Sequence, residues 1–514
     1  MSPRLLRSTL LVAIITSASR LLGYVRDVLI AGLGGAGAGA DAFFVAFRVP
    51  NLLRRLFAEG VFSQAFVPVV AEYRMRRSAE EVRGLVASTS GSLGLLALGV
   101  SALGVLAAPV LVLAFAPGFA VDAERFGLAS QMLRITFPYL FFVLIAALAG
   151  GVLNAHERFA APAMTPVLLN LAMIAAAVAV APRMAQPMVA LAWGVFLGGL
   201  AQLLFQLPFL AGVGLLVRPR LGFRAEGPRR VLGLMLPAVF GASVAQINLL
   251  LDTLLASFLP TGSVSWLYYS DRLVEFPLGV VGVALGTVVL PALSRRFAEG
   301  AREGFSLTLD WALRWVLLLG IPATVGLVLL AAPLLATLFQ HGAFATADVY
   351  MARLSLVAYS LGLVGFMLVK VLVPAFYARQ DARTPVRVGL VAIAANLLMS
   401  LALMATLAHA GLALATSLAA LLNAGLLLGR LARAGIYRPA HGWGWFGLRL
   451  ALANLVLALV LVHGPAETAV WTFAPGTTRA AWLAFWVTAG ALTYAGALWA
   501  LGFRRRDLLP LTRP

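Results

Sequence analysis

Residues 41–59 read DAFFVAFRVPNLLRRLFAE. A run apolar enough to enter a bilayer here contains Arg48, Asn51, Arg54, Arg55 and Glu59, with Asp41 at its start. Two other stretches share the pattern: Leu5 to Leu33 carries Arg20, Arg26 and Asp27, and Val264 to Pro291 carries Asp271, Arg272 and Glu275. A charge at the bilayer centre costs roughly 2.5–3.5 kcal/mol on the insertion scale. Facing lipid, so many would be prohibitive, so they must line a water-filled or protein-enclosed cavity. Guanidinium forks bind phosphate bidentately and stay charged at any depth, so the cavity suits a phosphate-bearing anion and the chain reads as its transporter.

Composition supports a membrane setting. The 514 residues are 61% hydrophobic and 11% charged, with a mean hydropathy of +0.95. A soluble domain of that length does not have such a balance, and the reading is an all-α polytopic membrane protein. There is no cysteine, and the five histidines (156, 341, 409, 441 and 463) lack ligand spacing, so neither a metal site nor a cofactor is expected. The net charge of +19 would suggest nucleic acid in a soluble protein, but the placement of the charges points elsewhere. Arg4 and Arg7, followed by Leu10 to Ile15 and Ser17-Ala18-Ser19, imitate a signal peptide. Apolar character resumes past Arg20, so an uncleaved first span is expected.

At about 20 residues per crossing, the hydropathy pattern gives about 14 spans. They lie near 5–33, 41–70, 85–116, 128–153, 159–181, 188–212, 230–258, 264–292, 306–331, 349–378, 385–408, 411–431, 444–463 and 480–502. Of the 39 basic residues, 25 fall in the termini and alternate loops on one side, only Arg125, Arg183 and Arg479 fall in loops on the other, and 11 lie within spans. The positive-inside rule then places both termini in the cytoplasm. A faint repeat relates spans one and two to spans seven and eight. Arg26-Asp27-Val28-Leu29 matches Leu251-Asp252-Thr253-Leu254, Phe43-Phe44 matches Tyr268-Tyr269, and Val67-Pro68 matches Leu290-Pro291. Such repeats are typical of transporters with two lobes around a central site. Two lobes of six spans leave an additional C-terminal pair, giving units 1–217, 218–440 and 441–514.

Helical phase suggests which charges meet. At 100° per residue Arg20 and Asp27 fall about 20° apart, with Tyr24 between them, while Arg26 falls elsewhere unless the helix bends at Gly23. Arg48, Asn51, Arg55 and Glu59 share a stripe of roughly 80°, and Arg54 points about 120° from Arg48, although Pro50 disturbs the phase. Asp271 and Glu275 form an i,i+4 pair with Arg272 alongside. These residues suit either intramembrane salt bridges that lock helices or an anion site whose acidic members hold the arginines until ligand arrives. Arg134, Arg314, Arg353, Lys370 and Arg449 lie near span ends, where snorkelling accounts for them. Asn248, Asp252, Asn396 and Asn423 are candidates for a coupling-cation site. Gly32 to Gly39 lacks the Walker Lys-Ser/Thr, so energy is expected from membrane potential or a Na+ or H+ gradient.

Three motifs resemble one family. Arg20-Leu21-Leu22-Gly23-Tyr24-Val25-Arg26-Asp27 is similar to its first helix. Asp41 through Arg55 with Phe57-Ala58-Glu59-Gly60 is similar to its second. Gly262 through Tyr269 with Asp271-Arg272-Leu273 and Glu275-Phe276-Pro277 is similar to its eighth. The family is the bacterial lipid II flippases (MurJ/MviN type) of the multidrug/oligosaccharidyl-lipid/polysaccharide exporter superfamily, and the resemblance runs along essentially the whole chain. It implies two six-helix lobes around a central V-shaped cavity, with helices 13 and 14 lining a groove for a lipid tail. It implies lipid II, the undecaprenyl-diphosphate-linked disaccharide-pentapeptide, as cargo, moved between leaflets of the bacterial inner membrane by alternating access. Arg20, Arg26, Arg54 and Arg272 would be the headgroup ligands, and Asp27, Asp41, Arg48, Asn51, Arg55, Glu59, Asp271 and Glu275 supporting charges. A monomer working with the cell-wall synthesis machinery is the corresponding expectation. The alternatives are a flippase for another undecaprenyl-linked oligosaccharide and a multidrug cation exporter, which should show an acidic or aromatic cavity. An enzyme on polyprenyl phosphate would need paired catalytic carboxylates or a metal cluster, and the sequence offers none.

Overall fold

The protein is described by a computed structural model covering residues 3–57, 61–464, 468–504 and 507, and no strand occurs among them. Among the described residues, each of the expected spans falls on one helix or on consecutive helices joined by a turn. Pro3–Gly34 is one continuous helix that ends where Gly35 turns to a φ of 54° and donates its N–H to the Ala31 carbonyl at 2.8 Å. A left-handed glycine after the last turn is a common way to satisfy a terminal carbonyl. Nine helices among the described residues are long and apolar enough to cross a membrane, and one of them, Arg383–Arg433, contains two of the expected spans. Those outside this set coincide with the expected first, second, seventh and eighth spans, which carry most of the intramembrane charges.

Where the sequence suggested single spans, proline often divides them. The expected span 264–292 is the helix Ser263–Pro277, a wide turn at Leu278–Gly282, and the helix Val283–Ala298. Pro277 has no N–H for the preceding turn and its ring crowds that turn's carbonyl, which accounts for the change of winding. The described part of the second span is helical over Ala38–Phe57 and Val61–Arg76, with Pro50 and Pro68 inside these helices. Arg383–Arg433 reverses at Ala408, whose φ of 48° and ψ of −128° are non-helical. The expected break between 385–408 and 411–431 falls there, with Gly411 so close to Leu403 that a Cβ would lie 2.4 Å from its carbonyl oxygen.

The chain divides into two compact units, Met1–Ser265 with His341–Ala343, and Trp266–Gln340 with Phe344–Pro514. The first has a core of Phe62, Phe66, Val70, Leu85, Leu148 and Val152, all buried. Its helices Thr165–Ala175 and Pro187–Ala211 meet through small residues, since a Cβ at Gly194 would approach that of Ala176 to 2.8 Å. Lipid is as apolar as a leucine side chain, so close packing rather than hydrophobicity holds such helices together. In the second unit, Trp443–Val462 and Gly476–Ala500 pack on helix Arg302–Leu329 through Leu318, Phe446, Leu450, Ala453 and Leu498. The Tyr494 hydroxyl adds a hydrogen bond to the Leu318 carbonyl at 2.7 Å.

Candidate substrate-binding charges

In the first unit, Arg26 and Asp27 are both buried, at 7% and 0% exposure, whereas Arg20 is exposed. Arg26 Nε and Nη2 donate to Asp27 Oδ1 at 2.9 and 2.7 Å, and Nη1 donates to Asn170 Oδ1 at 3.0 Å. Asn170, on helix Thr165–Ala175, returns its Nδ2 to the Ser19 carbonyl at 2.9 Å. Helical phase would have put Arg20 beside Asp27. Instead the Arg26 arm reaches sideways to its neighbour, because burial rewards a paired charge and the side chain is long enough to cross 100° of helix.

The helix Ala38–Phe57 presents three of the expected residues differently. Asp41 is fully buried and accepts three hydrogen bonds: from Gly262 N–H at 2.7 Å, Ser265 N–H at 2.9 Å and Ser265 Oγ at 2.6 Å. It therefore caps the N-terminus of helix Ser263–Pro277. Arg48 donates to the Thr253 hydroxyl, and Arg54 donates from Nε and Nη2 to Asn51 Oδ1 at 2.9 and 2.8 Å. Asn51 is one turn before Arg54 and orients its guanidinium through these two bonds. Arg55 is half-buried, and Glu59 lies outside the described residues.

In the second unit Arg272 Nη1 donates to Glu275 Oε2 at 2.6 Å, and the guanidinium lies over the Tyr268 ring at 5.8 Å. Asp271 is half-buried on the same helix. Of the cation candidates, Asp252 is buried in the first unit, whereas Asn396 and Asn423 belong to the second. Asn396 Oδ1 has Ser400 Oγ and Thr416 Oγ1 as donors, each at 3.5 Å, and the side chain of Asn248 lies outside the described set.

Buried charged groups that the sequence reading did not single out include Arg125, Asp310 and Arg479, of which the last two make the more extensive contacts. Asp310 has no exposure and gathers Arg314 Nε at 2.9 Å, Tyr437 OH at 3.0 Å, Ala440 N–H at 3.1 Å and Trp443 Nε1 at 2.6 Å. Snorkelling is therefore not what Arg314 does: it pairs with Asp310 one turn earlier and lies over Trp443 at 5.1 Å. Burial, and then the Asp310 carboxylate, push the Tyr437 hydroxyl above its ordinary value, so it remains a donor. Replacing it, Tyr437→Phe, is expected to lower stability by about 1.5 kcal/mol, the scale of a hydrogen bond to a charged group. A detergent melting curve that matches the parent would show that this hydroxyl contributes nothing. The second group is Arg479, 8% exposed, which donates from Nη1 to the Ala336 carbonyl and to Gln340 Oε1, both at 2.7 Å. In sequence it reads only as a loop charge, but it meets the last turn of helix Ala331–Leu338, where a cation is favoured.

Comparison with known proteins gives consistent matches. A family model described as "Lipid II flippase MurJ" matches residues 30–478. A probable lipid II flippase MurJ of Vibrio cholerae is 48% identical over 99% of both chains. A lipid II flippase MurJ of Burkholderia cenocepacia is 44% identical, covering 97% of this chain and 98% of its own. A solved lipid II flippase MurJ in an inward closed conformation superposes with a TM-score of 0.78 at 27% identity, covering 95% of this chain and 98% of that one. An inward-facing multidrug resistance MATE family transporter gives 0.69 at 14% identity, over 83% and 98% of the two chains, a likeness of fold alone.

Proposed function

Since the chain belongs to the lipid II flippase MurJ family, we propose that it carries lipid II from the cytoplasmic to the periplasmic leaflet of the bacterial inner membrane by alternating access, as a transporter and not an enzyme. Arg20, Arg26, Arg54 and Arg272 receive the diphosphate. The supporting observation is the way the described arginines are held. Arg26 sits on Asp27 and Asn170, Arg272 on Glu275, and Arg54 on Asn51. Each partner supplies oxygen acceptors of the kind a phosphate also supplies, so headgroup and side chain exchange without leaving a guanidinium bare in a low-dielectric site. Asp27 and Glu275 then act as placeholders in the empty state, and Asn51 orients Arg54.

The isoprenoid tail stays in lipid along Trp443–Val462 and Gly476–Ala500. The basic loops lie in the cytoplasm with both termini. Transport draws on the membrane potential or on a Na+ or H+ gradient, at about 2.3 kcal/mol per charge per 100 mV. The protein acts as a monomer and passes its cargo to the cell-wall synthesis machinery. Purified protein in vesicles, offered lipid II and an undecaprenyl-diphosphate glycan lacking the pentapeptide, is expected to move lipid II at least tenfold faster, about 1.4 kcal/mol of discrimination. Equal rates, or a preference for the shorter headgroup, would assign the protein to another undecaprenyl-linked cargo.

A further inference from the structure

Of the 39 basic residues one is a lysine, Lys370, and it lies inside an expected span. It falls on helix Leu363–Tyr377, seven residues before the end. At the helical rise that is about 10 Å, farther than a four-carbon stem reaches, so snorkelling to the helix end does not account for it. The stem lies instead against the second half of the broken eighth span. A Cβ on Gly282 would be 3.6 Å from Lys370 Cγ, and one on Gly286 would be 3.3 Å from the Lys370 carbonyl oxygen. Gly282 ends the wide turn Leu278–Gly282, where the helix that carries Arg272 and Glu275 changes its winding. Single wide turns of this kind are frequent at functional sites.

Exposure supplies a second observation. Val371 and Leu372, the next two residues, are fully buried, yet Lys370 is exposed and makes neither an ion pair nor a hydrogen bond among the described residues. An ammonium facing hydrocarbon at that depth is costly, and intramembrane charges line a wet path instead. The position of Lys370 says which anion would meet it there. Gly282 is ten residues beyond Arg272, about 15 Å along the helix. It lies toward Arg295 and Arg296, in the last turn of Val283–Ala298, the side that the positive-inside rule assigns to the cytoplasm. A diphosphate is shorter than that gap, so Lys370 and Arg272 would hold it in turn and not together. The residue type agrees. Arginine grips phosphate through a bidentate fork, whereas lysine offers a point charge on a flexible stem, which suits a brief contact.

We propose that Lys370 is the first phosphate contact in the second unit, holding the diphosphate of the cargo on the cytoplasmic side before Arg272 receives it. This rests on the function proposed above. With a single lysine in the chain, an amine-reactive, membrane-impermeant ester modifies Lys370 and the α-amino group alone, and peptide mass spectrometry separates the two. In vesicles with reagent on both sides, Lys370 is expected to be labelled. Undecaprenyl diphosphate should slow that labelling, and uncharged undecaprenol should not. In transport, Lys370→Gln is expected to raise KM about fivefold with kcat nearly unchanged, the scale of one lysine beside a phosphate. Lys370→Arg should lower KM and kcat together, because the fork lets phosphate go slowly, whereas a merely packed or snorkelling lysine would be replaced by arginine without effect. A Lys370 that the reagent does not reach, in protein that moves lipid II, overturns the proposal. So does labelling that undecaprenyl diphosphate leaves unchanged, or parent kinetics in both variants. Protection in a protein that does not move lipid II would keep the phosphate contact and reject lipid II as the cargo.

Discussion

Alanine in place of Arg26 is expected to abolish lipid II transport. Two defects would contribute, and they can be separated. Arg26 neutralises Asp27 in a buried pair 2.7 Å apart. Breaking a buried pair from one side costs about 3–5 kcal/mol, because the carboxylate loses the positive charge that compensates its burial. The single variant therefore loses stability whether or not Arg26 ever touches a headgroup. Adding Asp27→Asn removes the uncompensated charge at nearly constant shape, and the double variant should recover most of the lost stability. Transport should stay absent, since the acceptor has been restored to neutrality but the guanidinium has not returned. Wild-type transport by the double variant would make the pair a structural tie and remove Arg26 from the headgroup site. Arg54→Ala and Arg272→Ala belong to the same experiment: Arg54 and Arg272 are less deeply buried than Arg26. Each is expected to lose transport by roughly hundredfold with membrane insertion intact, and lysine should rescue only partly, since it keeps charge but not the fork. Complementation of a strain depleted of its own flippase reads all of these variants together.

The fold was legible in the sequence because lipid imposes a simple length rule, and the alternation of basic loops checks the count independently. Proline and a single non-helical residue, Ala408, then refine the spans into the observed helices. The charged residues were legible as a set, since arginine in an apolar run is conspicuous. Their pairings were not. A straight-helix projection places Cα directions, but an arginine head travels far enough from its Cα to reach the adjacent Asp27. Asp310 shows the opposite difficulty. Its partners Tyr437 and Trp443 lie 127 and 133 residues later, and no local spacing connects them. Arg479, likewise, meets Ala336 from 143 residues away. Long-range polar contacts leave no periodic trace, so lone charges at span ends look the same whether they snorkel or anchor.

Asp41→Ala is expected to destabilise the protein by about 3–5 kcal/mol, and the reason lies in what precedes helix Ser263–Pro277. The residue before that helix is Gly262, with a φ of 99° and no side chain with which to cap. Helix N-termini leave N–H groups without partners, and a side-chain oxygen at that position normally accepts one of them. Asp41, 221 residues earlier, supplies the missing acceptor to Gly262, and the same carboxylate serves Ser265 through both its N–H and its hydroxyl. Alanine would leave two buried N–H groups unsatisfied at about 1–3 kcal/mol each, and would remove a negative charge from the positive end of the helix dipole. Asp41→Asn keeps one oxygen but turns an amide donor toward the remaining donors, so roughly half the loss is expected. Ser265→Ala removes one hydrogen bond, at about 1 kcal/mol. Amide hydrogen exchange at Ser265, measured beside transport, separates this role from substrate contact. Capping predicts faster exchange in the order Ser265→Ala, Asp41→Asn, Asp41→Ala, with transport falling in step, because the same helix carries Arg272 two turns further on. Lost transport in Asp41→Asn with unchanged exchange at Ser265 would instead make Asp41 a group that meets the cargo.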